Sequence, residues 1–155
     1  MRLAEALAAR ADLQRRIEQL RARITASARY QEGEEPAEDA AALLVEAEAA
    51  FGQLRDLIRR INKTNARLEL GEDGTMTDAL ASRDVLRLQH SVLTDAAAAA
   101  SGANQVGLRQ MRSELRQVAA LPVAPLRAAA DGVAQRLRDL DNRIQQANWI
   151  HDVEE

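Results

Sequence analysis

The sequence predicts an all-α protein, mainly a long antiparallel helical bundle of the coiled-coil kind. Ala and Leu dominate its apolar residues, while aromatic residues make up only 2% of the chain. That composition is typical of long helices, because Ala and Leu lose little side-chain freedom in a helix. The apolar residues also recur in alternating steps of three and four, the spacing that gathers them on one helix face. A length of 155 residues indicates a single helical domain, residues 1–155.

Periodicity and turn residues predict helices at about residues 3–28, 38–69, 76–100 and 124–150. The second and longest helix carries an apolar row, with Asn65 as its one polar member, at Leu44, Ala47, Phe51, Leu54, Ile58, Ile61, Asn65 and Leu68. The first helix offers it a matching row at Leu3, Ala6, Leu7, Leu13, Ile17, Leu20 and Ile24. Because the connection between the two is short, we expect them to form an antiparallel hairpin.

The third and fourth helices complete the predicted bundle. Thr75 or Thr77 is a candidate N-cap for the third helix, with Asp78 in its first turn. This helix has one apolar stripe that is widened by further leucines, at Val85, Leu88 and Val92 and at Leu80, Leu86 and Leu93. A helix that is apolar on two adjacent faces is expected to be buried on more than one side, here against the hairpin and against another subunit. The fourth helix has a row at Leu126, Ala130, Val133, Leu137, Leu140, Ile144 and Ala147.

The segment around residues 104–120 allows two interpretations. Leu108, Met111, Leu115 and Val118 have helical spacing. As in a strand, however, uncharged residues alternate with charged ones: Met111, Ser113, Leu115 and Gln117 with Arg112, Glu114 and Arg116. A short β-hairpin in this segment is therefore the alternative to a helix.

Charge and composition exclude several classes of partner. The net charge is −3, so we expect no nucleic-acid partner, because such proteins usually carry a basic excess. There is no Cys and no long uncharged segment, which predicts a cytoplasmic protein without disulfides or membrane spans. The acidic run at residues 31–39 lacks the ligand spacing of a calcium loop and is interpreted as a solvated connection that also caps the second helix.

The residues needed for common enzyme chemistry are missing from the sequence. Without Cys, and with His only at positions 90 and 151, there is no arrangement of nucleophile, base and orienting acid. Neither His has a Glu three residues before it, as a carboxylate-bridged metal site in a helical bundle requires. No Gly-rich phosphate loop is present. We therefore expect no enzyme activity, no catalytic residue, no bound metal and no cofactor.

Several stretches together resemble a family of small bacterial helical proteins that carries the name septicolysin or is left as a domain of unknown function. The matching stretches follow one another along nearly the whole chain, at residues 3–7, 10–14, 31–36, 61–65, 77–80, 83–84 and 144–149. The name implies a cytolysin, hence a membrane-active protein. The resemblance also implies a short strand at residues 113–118, although this chain has Leu, Arg and Gln where similar sequences have more β-branched and aromatic residues.

The resemblance also singles out polar residues at unusual positions. They are candidates for a buried polar network that fixes how the helices meet, or for the lining of a ligand pocket: Asp12, Gln14, Asn62, Asn65, Asp84, Gln145 and Asn148. Trp149, the only Trp, joins this set, either as an anchor for the end of the last helix or as a stacking surface for a ligand.

These observations favour a structural or interaction protein that self-assembles through long amphipathic helices into a homo-oligomer. Few aromatic residues and an apolar excess on the third helix would leave a monomer with uncovered apolar surface. The alternative is the membrane-active protein that the resemblance implies. The sequence does not identify any other protein partner, and a membrane is not favoured as one.

Overall fold

The fold is all-α, as predicted. The computed structural model describes residues 1–103 and 116–154. Within them lie four α-helices and a short 3-10 turn at Gly71–Asp73: α1 (Leu3–Ser27), α2 (Ala40–Arg67), α3 (Met76–Ala100) and α4 (Val123–Ile150). The described residues contain no strand, only isolated bridges between Arg2 and Asp152 and between Glu69 and Thr75. Most of the predicted hairpin at 104–120 lies outside the described residues, and residues 116–120 form neither helix nor strand.

The chain divides into two compact units. The first unit combines Met1–Leu68 with Gln145–Glu155, and the second unit is Glu69–Ile144. The helix α4 contributes to both, because the division falls between Ile144 and Gln145. The single-domain assignment stays a prediction, since two compact units can belong to one folding domain.

In the first unit, α1 and α2 form the predicted antiparallel hairpin. Arg16 pairs with Glu46 at 2.9 Å, and Arg23 pairs with Glu38. From the first pair to the second, the residue number increases in α1 and decreases in α2, so the two helices are antiparallel. Their shared core contains Leu20 of α1 and Leu43 and Ala47 of α2, with Ile24 packed against it. The Asp39 carboxylate caps α2 by accepting from the backbone N–H groups of Ala41 and Ala42 at 2.9 and 3.1 Å.

The row of α2 that is buried is displaced from the predicted one. The buried residues are Leu43, Ala47, Ala50, Leu57, Ile61 and Thr64. Leu44 and Phe51 instead remain 54% and 48% exposed, so their assignment to the core is wrong. Asn65 is half-buried, and the polar member of the buried row is Thr64. Both rows follow the three-four spacing, and the small Ala side chains of the observed one allow close approach of another helix.

The last residues of the described chain, 151–154, form an extended segment that we call the C-terminal strap. The Val153 N–H donates to the Met1 carbonyl at 2.9 Å, and the Leu3 N–H donates to the His151 carbonyl at 2.9 Å. The side chain of Val153 is buried. The strap therefore joins the two ends of the first unit by backbone hydrogen bonds.

In the second unit, α3 begins with a capping box. Thr75 and Asp78 exchange hydrogen bonds, with the Asp78 carboxylate accepting from the Thr75 N–H at 2.9 Å and from its hydroxyl at 2.7 Å. Gly74, just before the cap, has φ 75°, and a Cβ placed there would lie 2.8 Å from an Asp78 carboxylate oxygen. Only glycine fits this turn without strain.

The buried row of α4 agrees with the predicted one. Ala130, Val133, Leu140, Ile144 and Ala147 are buried. Leu126 and Leu137, the other two predicted members, are half-buried. Ion pairs within the second unit link Arg143 to Asp73 at 2.6 Å and Arg87 to Asp141 at 3.5 Å. These pairs join α4 to the 3-10 turn and to α3.

Candidate interaction surfaces

The most exposed apolar row of the described residues lies on α3. Val85, Leu88 and Val92 are 66%, 62% and 64% exposed. We call these three residues the α3 stripe. The buried residues of α3 do not belong to this stripe; they are Met76, Ala79 and Ala97. Within the chain, the predicted stripe is therefore not buried, and the leucines expected to widen it, Leu80, Leu86 and Leu93, are half-buried. Burial of the stripe against another subunit stays a prediction.

A second feature, which the sequence did not indicate, is the polar attachment of the C-terminal strap to α2. The Thr64 hydroxyl accepts from the Glu154 N–H at 2.9 Å and donates to the Arg60 carbonyl at 2.9 Å. The Arg60 Nε donates to the Glu154 carbonyl at 3.1 Å. The Glu154 carboxylate accepts from Arg67 at 2.8 Å and lies 3.6 Å from the Lys63 Nζ. The last turns of α2 thus hold the strap through both its backbone and its side chain.

Hydrogen bonds shift the pKa of an ionisable side chain at three places in these units. The hydrogen bonds from Arg23 hold the pKa of Glu38 below its usual value. The Thr75 hydroxyl and amide likewise lower the pKa of Asp78. The hydrogen bonds between Arg143 and Asp73 raise the pKa of Arg143. All three are opposite-charge or capping contacts that favour the ionised forms, and they form no acid-base pair of the kind that catalysis uses.

The polar residues singled out by the resemblance are distributed over both units. Asp84 belongs to the second unit and the others to the first. Asp12 pairs with Arg15 on α1, while Asp84 pairs with Arg83 at 3.2 Å and lies 3.8 Å from Arg87 on α3. These two carboxylates are therefore engaged in ion pairs along their own helices.

The other polar candidates differ mainly in burial. Asn148 is buried, Asn65 is half-buried, and the remaining ones are exposed: Gln14, Asn62 and Gln145. Trp149 is also exposed, so its ring is not packed as an anchor for the end of α4. A network or pocket lined by this set stays a prediction.

A cavity of about 480 Å³ lies in the second unit, between the last turn of α3 and residues 117–121. Half of its described lining residues are alanines, and none of the lining side chains is ionisable; the others are Ser101, Gly102, Gln117, Val118 and Leu121. The described residues also contain no group of three or more His, Cys, Asp or Glu side chains that could hold a metal ion. Within residues 1–103 and 116–154, no helix is long and apolar enough to cross a membrane.

The helices and the α3 stripe define an all-α protein with an exposed apolar helix face. The comparisons with known proteins agree with this class and add the family. The chain belongs to a family of unknown function, DUF6847, whose model matches residues 10–153.

A solved structure is similar to the chain over its whole length. It is a crystal structure of a functionally unknown conserved protein from Corynebacterium diphtheriae, with 38% sequence identity, a TM-score of 0.89 and 99% of each chain covered. No curated protein matches the chain. Family and neighbour support a helical protein of unknown function, and neither bears on the septicolysin resemblance, which stays a prediction.

Proposed function

We propose that this protein is a helical interaction protein that binds a second copy of itself through the α3 stripe. The observation that carries the proposal is the exposure of Val85, Leu88 and Val92, each above 60%, on one face of α3. Large apolar side chains grouped on one helix face, rather than scattered singly, are typical of an association surface.

The size of the stripe sets the strength that we expect. Burying a Val or Leu side chain fully contributes about 1.5–3 kcal/mol, so covering what is exposed of the stripe on two copies contributes of order 6–12 kcal/mol. Association costs about 4–15 kcal/mol in lost translational and rotational freedom. The two terms are similar in size, so self-association through this stripe alone should be weak.

The test measures mass in solution by light scattering over about 10–500 μM, the range in which weak complexes form. We expect the average mass to rise with concentration for the wild-type protein. Leu88→Glu should weaken the association by at least about tenfold, because it places a charge in the centre of the stripe. Gln89→Glu is the matched control, since it adds the same charge to the neighbouring exposed position and should leave the association unchanged. A wild-type protein that is monomeric throughout, or equal behaviour of Leu88→Glu and wild type, would contradict the proposal.

Membrane activity is the second candidate, implied by the septicolysin resemblance and favoured by the same exposed stripe. An apolar helix face can lie at the membrane surface as well as against protein. Release of a dye from anionic and zwitterionic vesicles distinguishes the two candidates. Release that is lost in Leu88→Glu supports membrane activity, and an absence of release from both kinds of vesicle removes it.

A further inference from the structure

The exposed side of α2 carries a second row of residues with helical spacing, which we call the outer row. Its members alternate in steps of four and three: Leu44, Glu48, Phe51, Arg55, Ile58 and Asn62. All are exposed except Ile58, which is half-buried. Phe51 is the only Phe of the chain, and a large exposed aromatic ring is unusual away from an interface.

The outer row is complementary to itself about Phe51. Leu44 lies seven residues before Phe51 and Ile58 seven residues after it, and both are apolar. Glu48 lies three residues before and Arg55 four residues after, and they carry opposite charges. If two α2 helices lie antiparallel with a two-fold axis at Phe51, Leu44 meets Ile58 and Glu48 meets Arg55, twice each. The offset of one residue in the charged pair corresponds to about 1.5 Å along the helix, within reach of an Arg side chain.

The charges at the two ends of the hairpin follow the same symmetry. Residues 31–39 contain five carboxylates and no cation, whereas residues 55–67 contain five cations and one carboxylate. Asp39 precedes Phe51 by twelve residues and Lys63 follows it by twelve. Several of these charges already have partners within the chain, since Glu38 pairs with Arg23 while Lys63 and Arg67 contact the Glu154 carboxylate. What the ends add to an antiparallel pair of α2 helices is therefore mainly the favourable arrangement of two helix dipoles.

We infer that α2 makes an isologous, antiparallel contact with α2 of a second copy, centred on Phe51. The complementarity identifies the occupant as a second copy, because each half of the row matches the other half of the same chain. Binding to a different protein would not require the two halves of the outer row to match each other. The inference rests on the proposed function in that the chain binds its own copies, but it uses a different helix and different residues.

The test exchanges the charged pair. Glu48→Arg and Arg55→Glu each convert two opposite-charge contacts into two like-charge contacts in a dimer of the variant with itself. Each variant alone should therefore associate at least about tenfold more weakly than wild type at low salt. An equimolar mixture of the two variants restores opposite charges at both contacts, so the mixture should regain the wild-type association. Arg21→Glu is a control for general charge effects, because Arg21 is exposed on α1, outside the outer row and outside both charged ends.

The outcomes separate this inference from the proposed function. All measurements are repeated with Leu88→Glu on both chains. Rescue in the mixture, with or without Leu88→Glu, supports the α2 contact. Weakening without rescue shows a partner surface of another geometry and overturns the two-fold contact, as does unchanged association of both variants. If Leu88→Glu abolishes association while the α2 variants leave it unchanged, the proposed function stands and this inference fails.

A cross-link tests the position of the axis. The chain has no Cys, so any disulfide between two copies must form at the one Cys that is introduced. Phe51→Cys should form a disulfide-linked dimer under mild oxidation, because the axis brings the two copies of this position together. Gln53→Cys is an exposed α2 control outside the outer row and should remain monomeric. Equal cross-linking at both positions contradicts an axis at Phe51.

Discussion

Replacing Thr64 with Val tests how the C-terminal strap is held on α2. The change keeps the shape of the side chain but removes the hydroxyl that accepts from the Glu154 N–H at 2.9 Å. A partly buried N–H left without an acceptor costs about 1–3 kcal/mol, whereas the back-bond from the hydroxyl to the Arg60 carbonyl contributes little, since that carbonyl lies within the helix. Because Arg60 still binds the strap through its Nε, we expect the free energy of unfolding to fall by about 1–2 kcal/mol.

The assay is urea denaturation followed by circular dichroism, together with hydrogen exchange of the strap amides. The matched control is Thr25→Val in α1, where the hydroxyl donates to the Arg21 carbonyl at 2.8 Å and the residue is exposed. That substitution deletes the same helical back-bond without touching the strap, so it should change stability by less than about 0.5 kcal/mol. We also expect faster exchange at Val153 and Glu154 in Thr64→Val alone. Equal stability losses in the two variants, with unchanged exchange, would refute the role assigned to the Thr64 hydroxyl.

Two further predictions concern the start of α3 and are checked by the same denaturation assay. Gly74→Ala should destabilise the protein by about 1 kcal/mol or more, because Gly74 has a φ of 75° and an added Cβ would contact Asp78. Gly132→Ala is the control: Gly132 has open space around it, so the change should stabilise α4 by up to about 1 kcal/mol. Equal effects of the two substitutions would contradict the strain at Gly74. Asp78→Asn should destabilise the protein at neutral pH and lose this deficit in acid. The lowered pKa of Asp78 means that its stabilisation is present above its ordinary pKa of about 3.9 and is lost as the pH falls through the folded-state value; a deficit that stays constant from neutral pH to about pH 2 would contradict this linkage.

The fold class could be predicted from the sequence because composition and periodicity agree along most of the chain. In α4 a single apolar row is present, and five of its seven predicted residues are buried while the other two are half-buried. In α2 the predicted row and the buried row share Ala47 and Ile61 and elsewhere lie one residue apart, and both fit the same spacing. Periodicity cannot decide which of the two rows faces α1, and the structure buries Leu43 and Ala50 rather than Leu44 and Phe51.

The candidate surfaces were predicted only in part. The α3 stripe follows from local spacing, and its self-association stays a prediction. The hold of the strap on α2 could not be found in this way, because Thr64 and Glu154 are 90 residues apart and neither carries a local signal. The set of polar residues follows from the resemblance and from their unusual positions, which contain no information on distances, and the carboxylates of Asp12 and Asp84 pair along separate helices. Cytoplasmic location, oligomeric state and the lack of enzyme activity stay predictions.

The division of the chain has a consequence for the order of folding during synthesis. The second unit is one continuous stretch, Glu69–Ile144, whereas the first unit also needs residues that follow it. Chains emerge from the ribosome at about 5–20 residues per second, so early segments can fold before late ones exist. The α1–α2 hairpin and the second unit can therefore form first, and the strap then closes the first unit when Val153 reaches Met1. Until then, the part of the first unit that the strap covers is open to solvent in the nascent chain, where it is exposed to proteolysis and premature association.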